Sequence, residues 1–527
     1  MFGRLQSSDV PKRFFLSLIF VFLLVIFCFQ GVTNPATQKL ERPLYRHIGS
    51  ISIAVSELYH GADFGKIGYA EVYNHFSSAG FDYILDGELH KQKKQIVINA
   101  ENIDPVLKEA TLIAIEDPSS KFLLHGNPKG MVYFYKAAFA AFGPSLNSVG
   151  YLIYSIYALL LGIAFVSVRR EPQSLGFLII LLLSLVILQN EIFDPKTIFG
   201  KLGNLHNSRS LPILGMSAAL ISIILSISSK QKTLLNVSCC LVSGFILGFA
   251  LVARSSLAWV LPAILGIAVI LSFVRLLSMH SITFNSFQGF HSIRVWPLIV
   301  FLISSLLTTQ ALNLGVSDEY ETADATKSHI LFHTLLVSDC QALRYHALQS
   351  YHSCGDQYAG NKVELFIEAN GIPRAHMLRK GGHWNYGKYE EVAREIFFLS
   401  LWSNLPIKIA FATEQFKTLG AHSLRMIKAI DPFTLPIITM SIFIVTWANM
   451  NTRPLLVGLL LAGVPFLFAG YLTLIFFPGV RLRNELIVAM SSLSLFAFSL
   501  LAIFLVQQTI FIARKIAKEQ RKKAMGT

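Results

Sequence analysis

The sequence predicts an all-α polytopic membrane protein, and three observations lead to this prediction. Hydrophobic residues make up 53% of the 527 positions and charged residues only 14%, whereas about a quarter of the residues of a soluble domain are charged. The mean hydropathy is +0.54. Apolar runs of roughly twenty residues, the length at which a helix crosses a bilayer, recur along the chain. The length of this chain therefore reflects its number of membrane helices rather than a number of soluble domains.

About ten apolar windows are predicted to form transmembrane helices. They are residues 14–31, 147–168, 174–189, 211–229, 234–253, 256–277, 295–313, 434–450, 454–476 and 485–511. Because ten is an even number of crossings, both termini lie on the same side of the membrane. The first window resembles a signal peptide but has no small-residue cleavage site after it, so we interpret it as a retained anchor.

Basic residues cluster beside these windows and predict the orientation. The clusters are Arg4 with Lys12 and Arg13, Arg169 with Arg170, Lys230 with Lys232, Arg275 with Arg294, Arg453, and the stretch from Arg514 to Lys523. In the ten-helix topology each of them falls on one side, which the positive-inside rule assigns to the cytoplasm. The net charge of +14 is thus a membrane-topology signal, and no single basic face predicts a nucleic-acid partner.

Two segments on the extracytoplasmic side are far longer than a turn requires. Residues 32–146 form the first long loop and belong to an N-terminal transmembrane module, 1–313. The second long loop is 314–433, and 434–527 contains the C-terminal helices and a basic cytoplasmic tail. Long loops in compact architectures are commonly functional or disordered. Aromatic and aliphatic periodicity favours folded loops here.

Each long loop contains an amphipathic pattern that we expect to lie on the membrane surface. In the first loop, Tyr69, Tyr73 and Phe76 recur at helical spacing and predict a helix that starts near Gly65. In the second, "KYEEVAREIFFLSLWSNLPIKIAFATEQF" predicts a helix that is broken at Pro406.

The five cysteines divide by location. Cys28, Cys239 and Cys240 fall in apolar windows, where free cysteine packs as a small hydrophobe. Cys340 and Cys354 lie in the second extracytoplasmic loop, and an oxidising compartment there permits a disulfide between them.

Asp63 is the acid that precedes the amphipathic pattern of the first loop. It has two interpretations. Its carboxylate can cap the helix by accepting backbone N–H bonds, or it can serve as a general base in a cleft at the membrane surface.

The order of segments resembles the GT-C class of integral-membrane glycosyltransferases, and within it the protein mannosyltransferase and aminoarabinose transferase branch. In that branch an acid leads a helix containing Tyr-Ala, and a Lys-Pro-Pro-Leu-like motif precedes an apolar aromatic stretch. Here Asp63 leads "YAEVY", and "NPKG" with Lys129 precedes "VYFYKAAFAAFG". The stretches "GFILGFALVARSSLAWVLPAILG" and "FFPGVRLRNELIVAMSSLSLFAF" are similar to a later hairpin and to the entry to the last helices.

The resemblance implies inverting transfer of a sugar from a polyprenyl-phosphate donor to an acceptor glycan, lipid or protein, with the loop acid deprotonating the acceptor hydroxyl. Asp63 is farther from the first helix than in the family's pattern and Phe64 replaces a second acid, so Glu41 remains an alternative base. Asn484 stands where the family has Tyr.

A lipid-linked donor holds its phosphate at the bilayer surface, where basic side chains can meet it. Arg481 and Arg483 lie at the predicted outer mouth of the last helix, and Arg254 lies in another outer hairpin. Guanidinium groups pair bidentately with phosphate, although snorkelling arginines are the alternative. We expect Glu41, Lys129, His383 and Trp384 to contribute acceptor or sugar contacts.

No resident metal or cofactor is predicted. His329 and His333 have the i, i+4 spacing of a metal-binding helix face, but no Glu follows the first as a zinc protease would require. The outer loops contain no Asp-x-Asp. Neither a Walker motif nor a dinucleotide fingerprint is present, which fits a donor delivered in lipid.

Three other classes remain open. An O-antigen polymerase or ligase also combines many helices with a large outer loop, but generally has no comparably long loop after its first helix. A transporter would show charges, Pro or Gly breaks at mid-membrane and two related halves. A structural scaffold is the third. Because the only N-glycosylation sequon, at Asn236, lies within a predicted helix, we favour a bacterial inner membrane with the active site on the periplasmic side.

Overall fold

The computed structural model describes residues 9–33, 39–40, 44–62, 67–81, 98–123, 129–193, 211–228, 234–253, 255–280, 294–314, 331–345, 354, 356–377, 385–428, 439, 453–476, 496, 501, 504–513, 516–517 and 519–520. Long apolar helices dominate these residues, and the protein is an integral, all-α polytopic membrane protein as predicted. Four short strands are the departure from a purely helical fold.

Fifteen helices of the described residues are labelled here in chain order. The first seven are α1 Asp9–Thr33, α2 Leu44–Tyr59, α3 Ala70–Phe76, α4 Ala100–Ala110, α5 Lys129–Phe142, α6 Asn147–Val168 and α7 Pro172–Phe193. The next eight are α8 Leu211–Ser228, α9 Leu234–Ala253, α10 Val260–His280, α11 Trp296–Leu314, α12 Leu331–Tyr345, α13 Asp356–Ala369, α14 Tyr386–Lys428 and α15 Arg453–Phe476. A 3₁₀ turn, Ser255–Trp259, precedes α10.

The strands form two antiparallel pairs within the first loop. They are β1 Lys39–Leu40, β2 Ile67–Tyr69, β3 Ile98–Asn99 and β4 Lys121–Leu123. β1 pairs with β3, and β2 pairs with β4 in a register that places Gly68 opposite Phe122. These short ladders link segments of the loop that are far apart in the chain.

Six described helices are long and apolar enough to cross a membrane. They are Pro11–Thr33, Asn147–Val168, Pro172–Gln189, Leu234–Ala253, Trp296–Leu314 and Gly387–Thr418. The last of these lies in the predicted second loop and matches none of the ten predicted windows. Shorter apolar helices at Ile213–Ile227, Leu257–Phe273 and Gly463–Phe476 coincide with three more predicted windows. The predicted window 434–450 and most of 485–511 lie outside the described residues.

Two predictions about the loop helices are wrong. The helix predicted from Gly65 begins at Ala70, because residues Ile67–Tyr69 pair as a strand with β4 instead. The break predicted at Pro406 is absent, since α14 runs through this residue without interruption. A proline removes one helical hydrogen bond, and α14 tolerates the loss because Leu401 and Phe411 are buried on either side of it.

The first span packs antiparallel to α6. Phe20 stacks on Phe165 with 4.8 Å between ring centroids, and Phe27 meets Tyr154 edge-on. The Gln189 amide of α7 donates to the Phe27 carbonyl and to the Tyr154 hydroxyl, both at 3.0 Å. Such hydrogen bonds tie helices together where lipid offers no alternative partner.

Helices α9 and α11 pack closely against each other. Gly244 and Gly248 form a Gly-x-x-x-Gly face on α9, and a Cβ atom at Gly248 would lie 2.5 Å from the Ser305 carbonyl oxygen of α11. Small residues at this spacing let helix backbones approach. The Ser304 hydroxyl donates to the Leu241 carbonyl, and the contacts advance in the same direction along both chains, so the two helices are parallel. The predicted ten-helix topology also requires these two helices to run in the same direction.

The two loops fold differently. α2 is buried along its middle turns, with Ile48, Ile51 and Val55 fully enclosed, and its core is continuous with that of the bundle. The second loop has a separate core formed by α12, α13 and the first half of α14. We call residues 44–142 the first module and residues 331–408 the second module.

Candidate functional site

The start of α5 meets the end of α9. Gly130, in the "NPKG" stretch, packs so closely on Ala253 that a Cβ atom would lie 2.3 Å from the Ala253 backbone nitrogen. Lys129 is the residue before Gly130, and Arg254 is the residue after Ala253. The fold thus brings together two stretches of chain that carry predicted site residues.

α5 also contacts the end of α11. The Tyr133 hydroxyl donates to the Leu312 carbonyl at 3.3 Å, two residues before α11 finishes. Phe134 packs on Phe249 of α9 with 6.0 Å between ring centroids. Since α9 and α11 are parallel, α5 lies across their C-terminal ends. The charge pattern assigns these ends to the extracytoplasmic side.

A buried ion pair joins α2 to α5. Lys136 Nζ lies 3.0 Å from Glu57 Oε2, the Glu57 side chain is fully enclosed, and the Lys136 side chain is 24% exposed. Burial, together with the negative charge of Glu57, raises the pKa of Tyr133 above its ordinary value. Glu57, Tyr133 and Lys136 therefore form one polar group beside the ends of α9 and α11.

Lys129, Tyr133 and Lys136 occupy positions i, i+4 and i+7 of α5. Residues at this spacing lie on one face of a helix. The described side chains on this face provide a phenol and an ammonium group, and α2 adds the carboxylate of Glu57. These groups can donate to an anionic substrate group and orient a hydroxyl.

Ser56 holds both ends of the connection from α2 to β2. Its carbonyl accepts from the Ala62 amide at 3.0 Å, and its hydroxyl accepts from the Tyr69 amide at 3.1 Å. Gly61 adopts φ +66°, a left-handed conformation that ends α2 and turns the chain. Ser56, the neighbour of Glu57 in the sequence, therefore anchors both ends of the connection that contains Asp63.

Asp63 itself lies outside the described residues. α3 begins at Ala70 rather than near Gly65, β2 precedes it, and its N-cap residue is Tyr69, which makes no side-chain capping bond. The N-cap position that the sequence assigned to Asp63 is therefore occupied by Tyr69.

Most other predicted site residues also fall outside the described part of the chain. They are Glu41, Arg254, Arg481, Arg483, His383 and Trp384, and the side chain of Lys129 belongs with them. Arg481 and Arg483 follow α15, whose Phe466 packs edge-on against Trp259 at the start of α10. The turn that begins after Arg254 and the helix that precedes both arginines are thus in contact.

Two acids of the first module accept hydrogen bonds from backbone amides and so have a structural role. Glu71 accepts hydrogen bonds from the Glu116 and Asp117 amides at 3.1 and 2.9 Å. Asp104 accepts from the Leu146 amide at 2.8 Å, next to the start of α6. These bonds make both acids poor candidates for a base.

Sequence reasoning missed the Glu57–Lys136 pair. The two residues are separated by 79 positions. Glu57 belongs to no recognisable motif, and Lys136 lies within "VYFYKAAFAAFG" without a role that the stretch itself predicts. The sequence did offer one signal for this pair. Glu57 is an acid within the otherwise small and apolar "SISIAVSELY" stretch, and a charge in a buried helix needs a partner.

The second module is closed by the predicted disulfide. Cys340 and Cys354 are bonded, with 5.5 Å between their Cα atoms. His333 is buried and its Nδ1 lies 2.8 Å from the Tyr389 hydroxyl, an interaction within the core. Among the described residues no three His, Cys, Asp or Glu side chains form a metal-binding group.

A search of protein-family models finds no match, and neither does a search of curated proteins. Among solved structures, the chain is similar to the apo crystal structure of ArnT from Cupriavidus metallidurans. The identity is 12% and the TM-score 0.30, with 92% of this chain and 76% of that chain covered. A TM-score this low establishes no shared fold.

Proposed function

We propose that this protein is a membrane glycosyltransferase that moves a sugar from a polyprenyl-phosphate donor to an acceptor hydroxyl on the extracytoplasmic side. In this proposal the site lies between the first module and the ends of α9, α11 and α15. It uses no resident metal, because guanidinium groups neutralise the donor phosphate.

The contact between Gly130 and Ala253 is the observation that carries the proposal. It joins the "NPKG" stretch of the first loop to the bend that contains Arg254, and each of these stretches carries a predicted site residue. A close backbone contact of this kind allows little variation in the distance between the two segments. Cationic residues on both sides of it suit a phosphate group.

The predicted position of the arginines in the membrane supports the same proposal. A polyprenyl chain is apolar and keeps its phosphate at the head-group level, so the cations that receive it must lie at helix ends. Arg254 follows the last residue of α9, and Arg481 and Arg483 follow the last residue of α15 by five and seven positions. Arginine provides a planar pair of donors that matches phosphate geometry.

We assign the role of general base to Asp63 and a positioning role to Glu57. The Glu57 carboxylate is enclosed and already bound to Lys136, so it is shielded from an acceptor hydroxyl. Its pairing fixes the orientation of α5 relative to α2. Asp63 follows the glycine turn at the end of α2, in the connection that Ser56 closes.

The reaction step follows from these roles. The Asp63 carboxylate takes the proton of the acceptor hydroxyl, and the acceptor oxygen attacks the anomeric carbon of the donor sugar. The bond between that carbon and the phosphate oxygen breaks, and its electron pair leaves with the polyprenyl phosphate. Cations at the site stabilise the negative charge that develops on the leaving group. Attack from the opposite face inverts the anomeric configuration.

The test is sugar transfer in proteoliposomes that contain the purified protein and a panel of polyprenyl-phosphate sugars. Asp63→Asn is expected to abolish transfer with folding intact, while Asp117→Asn, an exposed acid of the same module, is expected to retain it. Full activity in Asp63→Asn would remove this residue as the base, and Glu41→Gln would then be assayed. An unchanged surface-glycan profile in a strain without the protein, together with altered solute uptake, would favour the transporter.

A further inference from the structure

The second module contains a cavity of about 110 Å³ between α12, α13 and α14. It lies within the core that the disulfide closes, and none of the predicted site residues lines it. A buried water requires roughly 10–15 Å³ of such space, so this cavity has room for about seven or more water molecules. The polar groups that line it suggest a specific occupant.

The Asp339 carboxylate forms part of one wall of the cavity, and Lys408, which pairs with it, is not among the residues that line the cavity. Lys408 Nζ contacts Asp339 Oδ1 at 2.5 Å, and both side chains are nearly inaccessible to solvent. The second carboxylate oxygen accepts a hydrogen bond from the Ser400 hydroxyl at 2.9 Å. Burial raises the pKa of the Asp339 carboxyl, and the positive charge of Lys408 acts in the opposite direction. This wall is therefore polar but close to neutral overall.

Two further polar groups line the cavity and have hydrogen-bonding groups that no described residue uses. Within the described part of the chain the Asn404 amide has no hydrogen-bond partner, although the residue is half-buried. The Lys362 ammonium lies 5.7 Å from the centroid of the Tyr358 ring and forms no ion pair with a described residue. An amide both donates and accepts, and an ammonium donates three hydrogen bonds.

The remaining lining is apolar apart from the Tyr358 phenol. Leu336, Leu343 and Ile396 contribute aliphatic side chains to the same cavity. A phosphate ion would be attracted by the Lys362 ammonium but would gain nothing from these three side chains. A sugar ring satisfies both parts of the lining, because its C–H groups pack on aliphatic side chains and its hydroxyls exchange hydrogen bonds with carboxylate, amide and ammonium groups.

The exposed apolar face of α14 leads us to expect the cavity near the head groups. Phe398, Leu399 and Trp402 are exposed on this helix, and tryptophan is enriched at the membrane–water interface. Ser400 and Asn404, on the same turns, line the cavity instead. A sugar attached to a lipid or to a surface glycan would reach this level.

We infer that the cavity between α12, α13 and α14 binds one sugar ring of the acceptor, with Asn404 and Lys362 as its recognition groups. The assignment of this sugar to the acceptor depends on the proposed glycosyltransferase function. The site is separate from Asp63 and serves recognition rather than bond formation.

The experiment measures the binding of methyl hexosides to the full-length protein in nanodiscs by saturation-transfer NMR and calorimetry, with inorganic phosphate as the contrasting probe. At least one methyl hexoside is expected to bind saturably. Asn404→Leu fills the cavity and is expected to weaken binding at least tenfold, and Lys362→Met is expected to weaken it about threefold to tenfold. Ser403→Leu, an exposed change on the same turn, is the matched control and is expected to leave binding unchanged.

Three results would overturn the inference. They are binding of phosphate without any hexoside, hexoside binding that Asn404→Leu leaves unchanged, and no binding by a wild-type protein whose thermal unfolding shows it to be folded. If Asn404→Leu fails to fold, hexoside binding by Lys362→Met tests the inference instead, and unchanged binding in that variant would overturn it.

Sugar transfer in the same preparations separates the two proposals. Transfer that depends on Asp63, without hexoside binding, would retain the proposed function and reject the recognition site. Hexoside binding that depends on Asn404, without transfer from any lipid-linked donor, would retain a sugar site and reject the glycosyltransferase.

Discussion

The two modules each bury one carboxylate–ammonium pair, yet the pairs differ in their surroundings. In the first module Lys136 is 24% exposed and its partner Glu57 comes from a helix whose core is continuous with the bundle. In the second, Lys408 and Asp339 are 1% and 4% exposed within a separate, disulfide-closed core. The first pair therefore connects a loop to the membrane helices, and the second stabilises a loop from within.

This difference bears on function. A partly exposed pair beside the ends of α9 and α11 can respond to a substrate, and its loss is expected to affect transfer. A sealed pair contributes chiefly to stability, because removal of one partner leaves a buried charge without compensation. The predictions below test this division by comparing changes in the two modules.

The largest expected effect is that of Asp339→Ala. It leaves the Lys408 ammonium buried and unpaired, and breaking a buried pair in this way costs about 3–5 kcal/mol. Thermal unfolding in detergent measures the loss. Glu364→Ala, which breaks the exposed pair with Arg374, should change stability by less than about 1 kcal/mol. Equal losses in the two variants would show that the Asp339 pair is not sealed.

Removal of the disulfide should have the next largest effect. Cys340 and Cys354 are 14 positions apart, and closing a loop of about 15 residues contributes about 3 kcal/mol. The double change to serine is expected to speed hydrogen exchange in α12 and α13 and to leave α2 protected. Faster exchange in α2 as well would mean that the two modules do not unfold independently.

Lys136→Met should lower both stability and transfer. It leaves the Glu57 carboxylate without its ammonium partner, and a buried unsatisfied group costs about 1–3 kcal/mol. We expect sugar transfer to fall by at least tenfold, because α5 loses its link to α2. Lys108→Met, an exposed change in the same module, serves as control. Unchanged transfer in Lys136→Met would remove the positioning role from this pair.

The smallest expected loss of stability is that of Gly130→Ala. A methyl group there would lie 2.3 Å from the Ala253 nitrogen, and overpacking of this kind costs about 1–3 kcal/mol. Since backbone lies opposite, relief requires α5 to move away from α9, and transfer should fall more than stability. Gly162→Ala has open space around it and should be neutral or stabilising by up to about 1 kcal/mol. Full transfer in Gly130→Ala would contradict the site as proposed.

Part of the fold was predictable because it depends on local properties. The windows 147–168 and 234–253 coincide with the bounds of α6 and α9, since hydrophobic length alone determines whether a segment can cross a bilayer. The loop helices were harder to predict. Periodicity located the amphipathic segment of α3 but not its start, because the pairing of β2 with β4 depends on a segment about fifty residues away.

The candidate site was predictable only in part. Lys129 and Arg254 were recognised within their own stretches, but the contact that brings these stretches together involves Gly130 and Ala253, whose importance no motif reveals. The Glu57–Lys136 pair had no sequence signal beyond a charge in an apolar helix. A partner for such a charge can come from any element that packs against it.

The sequence alone determined that this protein crosses the membrane several times, has two folded loops and can form a disulfide in the second, since apolar length, periodicity and residue type are properties of short stretches. Only the tertiary structure decided which charges pair, that α14 continues through Pro406, and where a polar cavity opens between α12, α13 and α14. Those features arise from contacts between distant segments, and packing rather than local preference sets them.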